Sequence, residues 1–261
     1  MERITSAQNP TLKLARKLSR SARDREEQGK IVLDGIRLVS DYLERFGLAD
    51  ASLVLNESAL SKSDVIGLVA ALSDDVRLLQ VSDRIFQGVS SVDTPSGLIA
   101  IVDMPTVTDQ QSKYSFWLAL DGIQDPGNLG SILRSAASTN VTKVLLSESC
   151  ADPWSPKCLR GGMGAQFALP VSKCADLKRA ISGYNGTCIA TSSHEGQSLV
   201  DTKLAAPLLL MMGGEGAGLG PELANLADFC VRIPLNNHME SLNVGAAVAM
   251  ICYEQLRQSI S

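Results

Sequence analysis

Three stretches of the chain collect residues whose types and spacing can do chemistry. In DGIQDPGNLGSILRSAAS, residues 121–138, an apolar strand runs into Asp121-Gly122 and a Pro-Gly turn leads to a helix opening near Asn128. Leu129, Ile132, Leu133, Ala136 and Ala137 recur at helical spacing and form its inward face. Arg134 lies off that stripe, in the second turn of a helix whose N-terminus already favours anions. The pair Asn128 and Arg134 therefore reads either as a cap and a surface residue or as an anion grip. In LLLMMGGEGAGLGPEL, residues 208–223, five glycines fall within eight positions after a strand, so the backbone takes unusual torsions or approaches a ligand closely. The dinucleotide pattern G-x-G-x-x-G fails at Leu219 and Pro221, and no Lys-Ser or Lys-Thr completes a P-loop. Glu215 has no basic neighbour in that loop, which argues against a phosphate cradle. In RIPLNNHMESLNVGAAVAM, residues 232–250, Ser241 and Asn243 are both favoured helix N-caps. One cap suffices, so the other side chain is available for a different task. His238 reads as a surface residue of the intervening polar loop.

The elements around these stretches alternate. A helix follows Asn9-Pro10, then IVLDG, SLVLN, VRLLQVS and GLIAIVDM read as strands separated by helices. The polar run 104–115 has no periodicity and separates a first domain (1–105) from a second (116–261), with 106–115 as linker. The alternation then restarts with FWLALDG, KVLLSE, FALPVSK, GTCIATSS, PLLLMMGG and FCVRIPLN. Their near-continuous apolar runs suit a parallel sheet buried on both faces, and NVGAAVAMICYEQLR closes the chain as a long helix.

With 261 residues, 45% apolar and 20% charged, the chain has room for one or two cores. No run approaches the roughly 18 apolar residues of a membrane helix, and the first 20 residues lack the apolar stretch of a signal peptide. The six cysteines contain no C-x-x-C, and His194 and His238 are the two histidines. We therefore expect no metal site, cysteines acting as small apolar residues, and a reducing, cytoplasmic setting. The net charge of −4 is uneven: residues 1–30 carry +4 and the remainder −8. A basic arm with Arg3, Lys13, Arg16, Lys17 and Arg20 on an acidic body fits local contact with phosphates, and equally fits a solvated helix face.

Taken in order, Asn128-x-Gly130-x-Ile132-x-Arg134-x-Ala136, Gly213-x-Glu215-Gly216-x-Gly218, and Ile233-Pro234-Leu235 with Ser241-Leu242-Asn243-Val244 form a recognisable set. The set resembles the three motifs of the SpoU (TrmH-type) RNA 2′-O-ribose methyltransferases of the SPOUT superfamily. ITSAQNPTLKLARKL, IVLDGIRLV and SSVDTPSGLIAIV extend the resemblance to the small substrate-binding domain that many members carry. The resemblance implies an α/β catalytic domain with a parallel sheet and a deep trefoil knot, preceded by an α/β RNA-binding domain like a small ribosomal protein. By connection rules alone the sheet would be unknotted. It further implies a homodimer, S-adenosyl-L-methionine as methyl donor, and RNA, ribosomal RNA above all, as partner.

Carried over residue by residue, Gly213, Ile233 and Leu242 match the positions whose backbones hold the donor, with Gly214, Glu215, Gly218, Leu235 and Asn243 around them. Asn128, Arg134, Glu215, Ser241 and Asn243 match the polar positions about the reacting ribose. Two residues depart from many relatives: Asn237 stands for Gly, and Gly245 stands for Ser. Methyl transfer from a sulfonium to a hydroxyl needs mainly that oxygen and carbon be brought together, which suits a chain with few histidines. The family assigns proton removal to the arginine matching Arg134. A guanidinium with a pKa above about 12 serves more easily as a grip on the adjacent phosphate and on RNA. The alternatives are the same chemistry on tRNA, a non-catalytic RNA-binding or assembly factor on this fold, and a dinucleotide oxidoreductase, which the failed G-x-G-x-x-G disfavours.

Overall fold

The computed structural model describes residues 1–260 except 74, 93, 109–113, 217, 237 and 240. Half of the linker expected at 106–115 thus lies outside the described residues, as do Asn237 and Glu240. The chain divides into two compact units: 1–106 with 154–167, and 107–153 with 168–261.

The first unit carries strands β1 (Glu2–Ile4), β2 (Lys30–Asp34), β3 (Ser52–Asn56), β4 (Arg77–Val81) and β5 (Leu98–Asp103) in the order β1-β4-β3-β5-β2. Only β5 runs antiparallel to its neighbours. Helices α1 (Pro10–Arg20), α2 (Ala22–Gln28), α3 (Ile36–Phe46), α4 (Ser63–Ala70) and α5 (Asp83–Gln87) complete its own run of chain. Asn9 caps α1 and Pro10 opens it, as the Asn-Pro signal predicts. Leu12, Ala15 and Leu18 of α1 pack on Val32, Val54, Leu79 and Ile99 beneath one face of the sheet. Two elements escape sequence reading: the three-residue β1 and α2, whose ARDREEQ has no apolar stripe. Ser21 caps α2, and Arg25 is buried, its guanidinium bonded to the Leu18 carbonyl oxygen.

Residues 154–167, assigned by the sequence division to the second domain, pack with this first unit. They hold α6 (Pro156–Gly162), whose Leu159, together with Phe167 beyond it, enters the core formed by Ile31, Leu33, Tyr42 and Leu98. Phe167 meets Tyr42 edge-on at 5.5 Å between ring centroids. Hydrophobic patterning carries no information about which core the apolar residues of this segment join.

The second unit is a seven-stranded sheet with every pair parallel. Its strands are β6 (Phe116–Asp121), β7 (Lys143–Ser147), β8 (Val171–Cys174), β9 (Thr187–Thr191), β10 (Gln197–Ser198), β11 (Leu208–Gly213) and β12 (Phe229–Arg232). They lie in the order β10-β12-β9-β11-β6-β7-β8. The central β6 and β11 are buried along their apolar runs, which is why they read as unbroken hydrophobic sequence. The helices are α7 (Pro126–Ala137), α8 (Leu177–Ser182), α9 (Pro221–Ala224) and α10 (Val244–Ile260), and α7 packs against α10. Asp125, not Asn128, caps α7: its carboxylate accepts the Asn128 backbone N–H at 2.9 Å. The expected inward face of α7 is met except at Ala137, which is exposed while Gly130 is buried.

Cys150, Cys158, Cys188 and Cys252 are buried, whereas Cys174 and Cys230 are half-buried, and all six are free thiols. Burial pushes the Cys252 thiol up to about 12, so it packs as a neutral apolar group. No helix among the described residues is long and apolar enough to cross a membrane.

Candidate active site

Three segments meet at the C-terminal edge of the second sheet, where open α/β folds place ligands. The first is the glycine loop after β11. A Cβ on Gly213 would collide with the backbone of Gly218 and Leu219, and one on Gly214 with the Gly122 carbonyl. The loop therefore curls on itself, closed by a 3.0 Å bond from the Gly218 N–H to the Gly214 carbonyl, and lies directly on the turn after β6. Glycine is dictated here by contact, and Glu215 is carried at the tip of the curl.

The second segment is the start of α7. Because Asp125 takes the capping role, the Asn128 side chain is released, and its Nδ2 donates to Glu215 Oε1 at 3.0 Å. The third is the start of α10. Asn243 caps it, Oδ1 accepting the backbone N–H groups of Gly245 at 3.0 Å and Ala246 at 3.3 Å. That capping fixes which way the amide faces. Its Nδ2 then donates to Glu215 Oε1 at 2.7 Å and to Asn128 Oδ1 at 3.2 Å. Asn128, Glu215 and Asn243 thus form a closed triangle with no freedom to flip either amide. The Val244 N–H also approaches Glu215 Oε1, at 3.5 Å. Ser241, the other capping-type residue, is exposed and makes no side-chain hydrogen bond among the described residues. One capping residue caps, and the other is left for something else. A Cβ on Gly245 would crowd Asn243 Oδ1 at 3.1 Å, with Ser131 Oγ at 3.5 Å.

Beside the triangle opens a cavity of about 1010 Å³. Gly213, Gly214, Glu215, Gly218, Ile233, Leu235, Ser241, Leu242 and Asn243 all line it. Sequence reasoning missed the far wall, Thr191 to Glu195 at the end of β9, with Met212, Leu219 and Cys230. Only the strand order, which sets β9 beside β11, could have pointed to it. Among the described lining residues the charged side chains are Glu215 and Glu195, with His194 beside them and neither Lys nor Arg. Burial pushes the half-buried Cys230 thiol up from its ordinary value, with Glu195 adding to the effect. Such a wall suits a ligand of net positive charge better than a pyrophosphate.

Arg134 stands outside the cavity lining, exposed on α7, with no side-chain partner among the described residues. The five residues of the basic arm divide. Arg3 pairs with Glu57, and Arg16 donates to the carbonyls of Gly88 at 3.0 Å and Ala7 at 2.8 Å. Lys17 pairs with Asp24, and that hydrogen bond raises the Lys17 pKa. Lys13 and Arg20 are exposed and carry no side-chain bond among the described residues. His238 is exposed, and no described group of His, Cys, Asp and Glu is arranged to hold a metal ion.

Residues 115–253 match the model of the SpoU rRNA Methylase family, and residues 9–100 match that of the MRM3-like substrate binding domain. The chain is 27% identical to the 23S rRNA (guanosine(2553)-2'-O)-methyltransferase RlmP of Bacillus subtilis, over 97% of this chain and 98% of that one. A crystal structure of an RNA 2'-O ribose methyltransferase superposes with a TM-score of 0.85 at 30% identity, covering 99% of this chain and 100% of that one. An AdoMet-bound rRNA methyltransferase from Sinorhizobium meliloti gives a TM-score of 0.81 at 27% identity, covering 100% and 99%. With its motifs gathered on one sheet edge and more than half its length matched, the chain belongs to the SpoU rRNA Methylase family.

Proposed function

We propose that the protein transfers a methyl group from S-adenosyl-L-methionine to a ribose 2′-hydroxyl of ribosomal RNA. The observation that carries this reading is the closed Asn128–Glu215–Asn243 triangle at the mouth of a glycine-walled, acidic cavity. The donor supplies an electrophilic methyl on a sulfonium and leaves as a neutral thioether. Gly213, Gly214, Gly218, Ile233, Leu235 and Leu242 hold it, and Glu215 opposes its positive charge. Ser241, whose hydroxyl has no partner among the described residues, accepts or donates toward the incoming ribose, and Arg134 grips the adjacent phosphate. The 2′-oxygen attacks in line, the bond from methyl to sulfur breaks as that to oxygen forms, and the hydroxyl proton passes to solvent water late in the displacement. RNA from cells with and without the protein tests the reading. One ribose position should lose its 2′-O-methyl mark, and its resistance to alkaline cleavage, in the deletion strain. Methylation confined to bases would refute it.

Residues 1–105 with the packed segment 154–167 serve as the RNA-binding domain in this reading, and the rest from 116 onward is the knotted methyltransferase domain. Lys13 and Arg20 are the cations of the arm left for phosphates. Replacing both with Ala should weaken RNA binding and lower the slope of log affinity against log salt by about two. An unchanged slope would place RNA elsewhere. Arg3, Arg16 and Lys17 contribute only by exchanging their present partners.

The enzyme works in the cytoplasm as a homodimer through the second domain. Ala246, Met250, Tyr253 and Ile260 recur along one exposed stripe of α10, broken by Arg257 paired with Glu254, a surface suited to burial against a second copy. Sedimentation should give twice 27.8 kDa, and Tyr253→Glu should shift the mass toward that of one chain. A parent that sediments as a monomer would refute the assembly.

A further inference from the structure

The turn Leu120–Ile123 has an unusual set of partners, all supplied by the last residue of β7 and the loop after it. Ser147 Oγ accepts the Gly122 N–H at 3.1 Å and pairs with Ser149 Oγ at 2.8 Å. Cys150 Sγ accepts the Ile123 N–H at 3.4 Å and donates to the Leu120 carbonyl at 3.3 Å. The Ala151 N–H closes the set on the Ile123 carbonyl at 2.8 Å. Ser147 and Cys150 are buried, so losing either side chain leaves a turn N–H without its partner in a largely buried place.

This turn touches both arms of the triangle. Its Gly122, left-handed at φ 68°, presses its carbonyl against the Cα of Gly214, one residue before Glu215. Its Ile123 leads within two residues to Asp125, the cap that places Asn128. A shift of the turn therefore moves Glu215 and Asn128 together. We infer that Ser147 and Cys150 are positioning residues for methyl transfer, holding the turn 120–123 in the one register that lets Glu215 and Asn128 meet. The inference rests on the reading of Asn128 and Glu215 as the site. Ser147 and Cys150 lie outside the cavity lining and act only through that turn.

The test uses the whole chain, ribosomal RNA extracted from cells lacking the protein, and tritiated S-adenosylmethionine. Ser147→Ala and Cys150→Ala are expected to lower kcat by about ten- to a hundredfold, the range that small misplacement of reacting groups produces. KM for RNA should stay within about twofold, because neither side chain reaches RNA-facing surface. Cys150→Ser shrinks the side chain much as Ala does but keeps a donor and an acceptor, so it should retain most activity. Thermal melts of each variant, with assays run well below the midpoint, keep folding separate from rate. Equal losses in Cys150→Ser and Cys150→Ala would overturn the inference in favour of packing. Full activity in Ser147→Ala and Cys150→Ala beside a crippled Glu215→Gln would overturn it alone. A fully active Glu215→Gln would overturn the site reading as well.

Discussion

Asn243→Asp should lower kcat by about 10²- to 10³-fold at neutral pH while the melting temperature barely moves. Asp caps a helix as well as Asn does, and a carboxylate at the start of α10 is favoured by the helix dipole, so the fold keeps its contribution of about 1 kcal/mol. What disappears is the Nδ2 donor. A carboxylate oxygen would then face Glu215 Oε1 across 2.7 Å and Asn128 Oδ1 across 3.2 Å. Two carboxylates that close repel one another, which favours protonation of the new pair over that of an isolated carboxylate. The sign follows: the protonated form regains a donor between the two groups, so the variant should recover activity as pH falls, where the parent does not. Kinetics across pH with parallel thermal melts measures this. An Asp variant as active as the parent at neutral pH would show that the triangle has no part in the reaction. Asn243→Ala, by contrast, should lose both activity and the cap.

The second large effect is expected at Gly213. Gly213→Ala places a methyl on the backbone of Gly218 and Leu219, where no flexible side chain can move aside. The curl must open, taking with it the wall of the cavity and the approach of Glu215 to Asn128. Affinity for S-adenosylmethionine should fall by about a hundredfold or more by calorimetry, equivalent to about 3 kcal/mol. RNA binding through the first domain should persist. Gly216→Ala in the same loop is the control: a Cβ there meets nothing within 4 Å, and its backbone is not left-handed. It should cost well under tenfold. Equal tolerance at both positions would mean that the loop is not the wall of the donor site.

Much of the site was legible before any fold was known, because its chemistry is local. The glycine curl and the two capping-type residues Ser241 and Asn243 are readable from residue types at fixed spacing. The apolar stripe of α7 is readable the same way. Their membership in one family motif set then implied a donor, a substrate and a role for each. The Asp125 cap was missed because Asn128 is an equally good N-cap by type. Only the Asn128 backbone N–H bonded to Asp125 decides between them. Lys17 and Arg16 read as free cations because their partners, Asp24 and the carbonyls of Gly88 and Ala7, are chosen by packing.

By itself the sequence determined most of the elements, the parallel character of the second sheet and where along the chain the residue types of the candidate site fall. These follow from periodicity, torsional freedom and side-chain type, which act over a few residues. Only the tertiary structure decided that Asn128, Glu215 and Asn243 share one set of hydrogen bonds, across separations of 87, 28 and 115 residues. It alone decided that Leu159 and Phe167 fill the first unit's core, and that the end of β9 walls the cavity. Those facts depend on strand order and on which surfaces meet, and neither leaves a trace in the spacing of residues along the chain.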